Sequence, residues 1–313
     1  ISVLVHHTLE QMFIAASTTT SCSVVGALYV IMLAAVVFNL PQKLNQLVEH
    51  DLTTDPRLLA AIRFNEEESH LREHGSVRPF EGCNDDPEGI RMRDGYYRQH
   101  AYSCLWTPPN PSGTVRILVV GNSIAHRATK ILHPILEKNK NVMEMRLFAR
   151  AACRPLDHYQ SHASGCEEFF VAMKKLVTRM KPDITLFIYD DSRELKSSIT
   201  EDISKDKPLA DFVSFLKPLS ENSKYIVLDE FYPKTGTLAG VSLTMYKRLL
   251  RNLPLDDLNT SYKTFTDNYS AYFKRLDHLP AHIPNLIRHN TSGPLCKEGT
   301  CWWYNRENLH SYY

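Results

Sequence analysis

Ser123 is the residue whose type and setting best suit nucleophilic chemistry. It closes Val115-Arg-Ile-Leu-Val-Val-Gly-Asn-Ser123, an apolar run rich in β-branched residues that stops at a glycine. Val115–Val120 reads as a buried strand, and Ile124–Lys138 carries apolar residues at helical spacing. Ser123 therefore falls on a strand-to-helix turn. Free N–H groups at a helix start can stabilise an oxyanion, and Gly121 lets the backbone turn tightly beside a reacting carbonyl. The pattern is not the Gly-x-Ser-x-Gly elbow, since Ile124 and Ala125 follow the serine without a second glycine.

A serine hydroxyl needs an adjacent base to become a useful nucleophile. His126 lies three residues after Ser123 on the same helix, where side chains pointing one way do not readily form the triad angle. His310 stands near the C-terminus and reads as a structural or solvated histidine. His278, His282 and His289 fall in a Pro-rich loop and lack metal-ligand spacing on one helix face. No metal site is expected. Cys153 is weaker as a nucleophile than as a disulfide partner of Cys166.

These residues need a scaffold that delivers strand ends to one edge. Val115–Val120, Val142–Leu147, Ile184–Tyr189 and Tyr225–Leu228 read as strands, separated by helical candidates Ile124–Lys138, Glu167–Met180 and Leu209–Leu219. Such alternation implies a parallel sheet between helices. Leu243–Leu253 and Tyr262–Arg275 look helical, and Asn285–Arg288 reads as a fifth strand. In such sheets, sites gather at the carboxyl ends of strands, where Gly121–Ser123, Ala149–Cys153 and Asp190–Ser192 all fall. Upstream, Leu58–Leu71 has helical spacing with Glu66, Glu67 and Glu68 on a polar, solvated side. Pro108-Pro-Asn-Pro-Ser-Gly113 breaks regular structure and marks a domain boundary.

The chain of 313 residues has a formal net charge of +1, which gives no electrostatic case for nucleic acid. Its mean hydropathy of -0.29 describes a soluble protein with one exception. Cys22–Leu40 holds nineteen residues without a charge. As a helix it would reach about 28 Å, close to the roughly 30 Å of a bilayer core, so a transmembrane helix is expected there. Outside it stand Cys83, Cys104, Cys153, Cys166, Cys296 and Cys301 in local couples, for which sequential pairing is expected. Cys296-Lys-Glu-Gly-Thr-Cys301 suits a small disulfide loop better than a zinc half-site, because no second ligand pair follows at finger spacing. Asn259-Thr-Ser261, Asn268-Tyr-Ser270 and Asn290-Thr-Ser292 are glycosylation acceptors suited to surface loops. Cysteines and sequons together favour an oxidising lumen or exterior.

Gly121-Asn122-Ser123 after a buried strand resembles the first block of the SGNH hydrolases, usually Gly-Asp-Ser, in the variant fused to membrane acyltransferases of family three. Phe148-Ala-Arg-Ala-Ala-Cys-Arg-Pro-Leu156 and Lys181-Pro-Asp-Ile-Thr-Leu-Phe-Ile-Tyr189 are similar to the subgroup's later blocks, and Glu307-Asn-Leu-His-Ser-Tyr-Tyr313 is similar to the segment before its C-terminal Asp-x-x-His. Ser2-Val-Leu-Val-His-His-Thr-Leu-Glu-Gln-Met-Phe13 resembles the end of the last core helix of the membrane domain. The combination looks most like nematode-type O-acyltransferases.

The resemblance implies an α/β fold, an SGNH or flavodoxin-like three-layer sandwich of a parallel sheet, preceded by a transmembrane helix. It divides the chain into 1–40, the tail of the membrane domain with the span at 22–40; 41–114, a disulfide-stapled connecting region; and 115–313, an SGNH-like domain truncated at its C-terminus. It implies transfer of an acyl group to a hydroxyl acceptor such as a glycan or lipid, with Ser123 as nucleophile and an acyl donor such as acyl-CoA rather than a bound cofactor. Gly121 and backbone N–H groups near Ala151 are the oxyanion candidates, because no glycine in Ala149–Cys153 matches the second block and Asp190-Asp191 replaces the usual Asn. The localisation implied is a multi-pass membrane protein whose SGNH-like domain is lumenal or extracellular. Residues 1–313 alone are expected to be inactive for want of the base. The alternatives are a carbohydrate or lipid O-acylesterase, or a membrane-anchored binding module that kept the fold and lost the chemistry.

Overall fold

The computed structural model describes residues 55–73, 80, 82–87, 101–109, 112–151, 153–156, 165–189, 192–200, 202–231 and 240–312. The expected membrane span at 22–40 and the Asp190-Asp191 pair lie outside them. Among the described residues, no helix is long and apolar enough to cross a membrane.

The strands in chain order are β1 (Asn84–Asp85), β2 (Ala101–Trp106), β3 (Val115–Gly121), β4 (Val142–Arg150), β5 (Ile184–Ile188), β6 (Tyr225–Asp229), β7 (Asn259–Ser261), β8 (Leu286–His289), β9 (Cys296–Lys297) and β10 (Thr300–Trp302). The helices used below are α1 (Pro56–Glu73), α2 (Ser123–Glu137), α3 (Cys166–Met180), α4 (Lys207–Asn222), α5 (Val241–Leu250), α6 (Tyr262–Asn268) and α7 (Ser270–His278). Among the described residues, one seven-stranded sheet has the order β1-β2-β4-β3-β5-β6-β8, and β7-β10-β9 form a second sheet. β4, β3, β5, β6 and β8 run parallel. Numbered by sequence among themselves their order is 2-1-3-4-5, the flavodoxin-like doubly wound arrangement, whose switch point lies where the first and third strands meet. Here those strands are β3 and β5.

Alternation along β3 explains the layers, because successive side chains face opposite sides of the sheet. Ile117 and Val119 pack with Ala125, Ala128, Leu132 and Leu136 of α2. Leu118 and Val120 pack on the other face with Phe169, Met173 and Leu176 of α3 and Phe212 and Leu216 of α4. β3 is thus buried on both faces, which is why it reads as an unbroken apolar run.

The sheet is not purely parallel. β2 pairs antiparallel with β4 from Ala101↔Arg150 to Trp106↔Met145, and β1 extends it. A domain line drawn at Thr114 therefore leaves β2 and β3, strands of one sheet, on opposite sides of it. Trp106 and the Cys83–Cys104 disulfide are buried among α2 and β4 neighbours. Part of what reads as a disulfide-stapled connecting region is thus a strand of the main sheet, between β1 and β4.

Two further readings change. Glu66 and Glu68 of α1 are not on a free solvated face: Glu66 accepts from the Tyr246 hydroxyl at 2.9 Å and Glu68 pairs with Lys130 at 3.4 Å. Beside them α1 buries Ala61 and Ile62 against Val241, Met245 and Leu249 of α5 and against Trp303 and Tyr304. The helix expected over Tyr262–Arg275 is two helices broken at Tyr269, which buries Phe265 and Tyr272 from separate segments.

Candidate functional site

β3 ends in a backbone contact that admits no side chain. A Cβ added to Gly121 would lie 1.5 Å from the Ile188 carbonyl oxygen and 2.9 Å from the Ala125 Cβ. Gly121 therefore lets β3 and β5 approach at the switch point while α2 starts over them. Asn122 follows in extended conformation, buried, and its Oδ1 accepts from the Ile124 N–H at 3.0 Å. That is an N-cap, the physical reason for Asn or Asp at this position. The chain then presents Ser123 as the first residue of α2, half-buried, and no hydrogen-bond partner of its hydroxyl falls among the described residues.

Ala151 sits at the same edge. It follows β4, half-buried, two residues past Ala149, which is the register partner of Gly121. The Cys153 N–H donates to Arg150 O at 3.4 Å, and Cys153 is disulfide-bonded to Cys166 at the start of α3. This staple fixes the turn after β4 and removes Cys153 as a thiol nucleophile.

After β5, the buried Ser192 leads into the short helix Arg193–Lys196. This segment is held from far along the chain by Arg275, which is fully buried. Its Nε and Nη2 donate to the two carboxylate oxygens of Asp206 at 2.7 and 2.8 Å, and its Nη1 donates to Leu195 O and Ser197 O, both at 2.7 Å. The hydrogen bonds from Arg275 hold the Asp206 carboxyl below its ordinary value despite burial. Sequence reading missed this pair. The available signal was that Arg275 shares the buried stripe of α7 with Tyr272 and Leu276 at helical spacing, a place where an arginine must find a buried partner.

Three of the histidines have partners of their own. His126 stacks on Tyr102 with ring centroids 4.0 Å apart. His310 stacks on Phe64 of α1 at 3.9 Å, between backbone groups clasped by the buried Asn65, whose amide donates to Leu309 O at 2.8 Å and accepts from the Ser311 N–H at 3.1 Å. His289, expected in a loop, ends β8 and bonds Asp229 at the end of β6.

All three expected disulfides are present: Cys83–Cys104, Cys153–Cys166 and Cys296–Cys301. The last joins register partners of β9 and β10, which disposes of a zinc half-site, and no group of three metal-ligating side chains occurs among the described residues. Of the sequon asparagines, Asn268 and Asn290 are exposed, whereas Asn259 is half-buried in β7, where it pairs with Trp302 of β10 rather than lying in a loop. A half-open cavity of about 270 Å³ beside α1 and α5 is lined by the polar Asp55, Arg57 and Asn252 and by leucines that include Leu58, Leu249 and Leu309. Ser123 does not line it.

The family model described as SGNH domain (fused to AT3 domains) matches residues 85–313. No curated protein matches the sequence. Among solved structures, the periplasmic domain of a lipopolysaccharide acetyltransferase from Salmonella ser. Paratyphi A is similar at 15% identity and a TM-score of 0.43, over 81% of this chain and 85% of that one. A GDSL-like lipase from Bacteroides thetaiotaomicron is similar at 12% identity and a TM-score of 0.34, over 63% of this chain and 79% of that one. An acetyl-xylooligosaccharide esterase from Geobacillus, in a mutant form, is similar at 14% identity and a TM-score of 0.26, over 56% of this chain and 88% of that one.

Proposed function

Because the chain belongs to the family of SGNH domains fused to AT3 domains, we propose that it transfers an acyl group to a hydroxyl acceptor through Ser123. The observation that carries this reading is the turn itself: a glycine wedged against Ile188, a capping asparagine, and a serine at the head of a helix whose hydroxyl has no hydrogen-bond partner among the described residues.

In this reading the Ser123 Oγ attacks the carbonyl carbon of the donor, and its proton passes to a base. The carbonyl oxygen becomes an oxyanion facing the start of α2. The Ile124 N–H is taken by Asn122, so Ser123's own N–H and that of Ala151 are the donors at this edge, while Gly121 acts by making room. The tetrahedral intermediate expels the donor's leaving group, which takes the proton from the base, leaving the acyl group as a Ser123 ester. An acceptor hydroxyl then attacks that ester as the base takes its proton, and the base returns that proton to Ser123 Oγ as the serine departs. Water in place of the acceptor would give esterase chemistry. His126 stacks on Tyr102 and His310 on Phe64, and the base is assigned to neither.

The acyl donor is a thioester such as acyl-CoA, delivered from the membrane side, and the chain is anchored through Cys22–Leu40. Three disulfides support an oxidising lumen or exterior for the described part. The test is acyl incorporation into acceptor by cells expressing matched amounts of the full natural chain and its Ser123→Ala variant. Loss of incorporation is expected, and equal incorporation would leave Ser123 a turn residue.

A further inference from the structure

A stacked ring pair stands one helical turn from Ser123. The ring centroids of His126 and Tyr102 are 4.0 Å apart, with 30° between the ring planes. Ser123 and His126 lie three positions apart in α2, a spacing that puts two Cβ atoms about 5–6 Å apart on one side of a helix. Aromatic side chains on a helix lean back toward its N-terminus, over the turn before their own Cα. The imidazole of His126 therefore leans over the turn that opens with Ser123. Tyr102 holds it there from the sheet.

The strand register fixes which flank of Ser123 this is. Tyr102 of β2 pairs with Ala149 of β4, and Ala149 pairs with Gly121 of β3, so the three form one row at the edge that carries the serine. Alternation puts Tyr102 on the face of Cys104 and Trp106, and all three pack in the cluster that includes α2. The stack thus fills the flank on the β4 side, the strand that leads to Ala151. On the other flank β5 brings the Ile188 carbonyl against Gly121. One flank offers ring faces and the other a backbone oxygen. Both rings are half-buried, as Ser123 is, so neither is sealed within the core.

A carbonyl oxygen drawn to the N–H groups of Ser123 and Ala151 places the donor's carbonyl carbon on the β4 side of the turn. The leaving group and the acceptor hydroxyl must pass to and from solvent, which leaves the acyl chain the direction along the protein. An alkyl chain packs on ring faces, whereas it cannot hydrogen-bond a carbonyl oxygen. We propose that the Tyr102–His126 stack is the wall that ends the acyl pocket, so that the site selects a short acyl group, acetyl over butyryl. The inference rests on the Ser123 reading and adds to it the class of acyl group. Both residues act by bulk and not by proton transfer, so another ring of similar size serves in either place.

The experiment gives the full natural chain an equimolar mixture of acetyl-CoA and butyryl-CoA without acceptor, and reads by mass the acyl groups on the peptide carrying Ser123. Acetyl should exceed butyryl at least about tenfold, the low end for one methylene that a pocket does not fit. His126→Ala and Tyr102→Ala each open the wall and should lower that ratio about tenfold, while His126→Phe and Tyr102→Phe keep a ring and should retain it. Because the two donors compete for one sample, the ratio does not depend on how much of a variant folds. Equal loading of the natural chain overturns the inference. So does a ratio unchanged in both alanine variants, with Ser123→Ala taking up neither group, and that outcome spares the reading beneath. Folded His126→Phe protein that loads neither group would give His126 a part in the chemistry and overturn the wall. Acyl transfer with Ser123 left unmodified overturns the reading itself.

Discussion

The turn after β3 and the segment after β5 border the same edge of the sheet, yet they are held in opposite ways. The first is fixed by neighbours: Gly121 against the Ile188 backbone and Asn122 against the Ile124 N–H one residue away from Ser123. The second, Ser192–Ser197, is fixed by a guanidinium on α7, about 80 positions along the chain, locked to the Asp206 carboxylate at the start of α4. A site wall can be built from the shape of the backbone or from a buried charge. The first kind fails by steric overlap and the second by leaving polar groups unpaired, and that difference can be measured.

The largest effect belongs to the backbone wall. Gly121→Ala places a methyl on the Ile188 carbonyl in mid-sheet, where no flexible side chain can yield, and should cost above about 4 kcal/mol or prevent folding, read by urea unfolding with disulfides intact. A milder loss would show that β3 and β5 can part at the switch point. Next comes Arg275→Met, which leaves the Asp206 carboxylate and two carbonyls without their donor. It should cost about 3 kcal/mol, the lower end for breaking a buried pair, because methionine fills part of the space.

The same pair gives a pH test with a definite sign. The folded carboxyl of Asp206 lies below its ordinary value of 3.8, so the stability it contributes is present above that pH and is lost as pH falls through the lower, folded value. In Arg275→Met that acid-side decline should shrink. An identical decline in both proteins would assign it to other carboxyls.

Smaller effects separate remote from local holding once more. Asn65→Ala removes an amide that ties α1 to Leu309 and Ser311 and should cost about 2 kcal/mol. Asn122→Ala removes only a cap and should cost about 1 kcal/mol, while disturbing the Ser123 reaction more than Asn65→Ala does. The reverse order in activity would place the chemistry near the C-terminal clasp instead.

These contrasts also explain what could be read from the sequence. β3, β5 and α2 were legible because their burial on two faces or one stripe is written in the period of apolar residues, and Gly121-Asn122-Ser123 is a local instruction. The sequential disulfides were legible for the same reason, as partners 21, 13 and 5 positions apart. The antiparallel β2 was not, because its six residues Ala101–Trp106, with prolines close behind, carry no long apolar run. Arg275, Asn65 and the Asp229–His289 pair are polar residues whose partners lie 60 or more positions away, and hydrophobic periodicity says nothing about such pairings.

The central claim is that the acyl group passes through the Ser123 oxygen. The most direct measurement is peptide mass analysis of the full natural chain after brief exposure to acetyl-CoA without acceptor. The account predicts one acetyl group as an ester on the peptide carrying Ser123, discharged on adding a hydroxyl acceptor and absent from Ser123→Ala. Steady acetyl transfer with Ser123 unmodified, or an ester on another residue that survives Ser123→Ala, would contradict it.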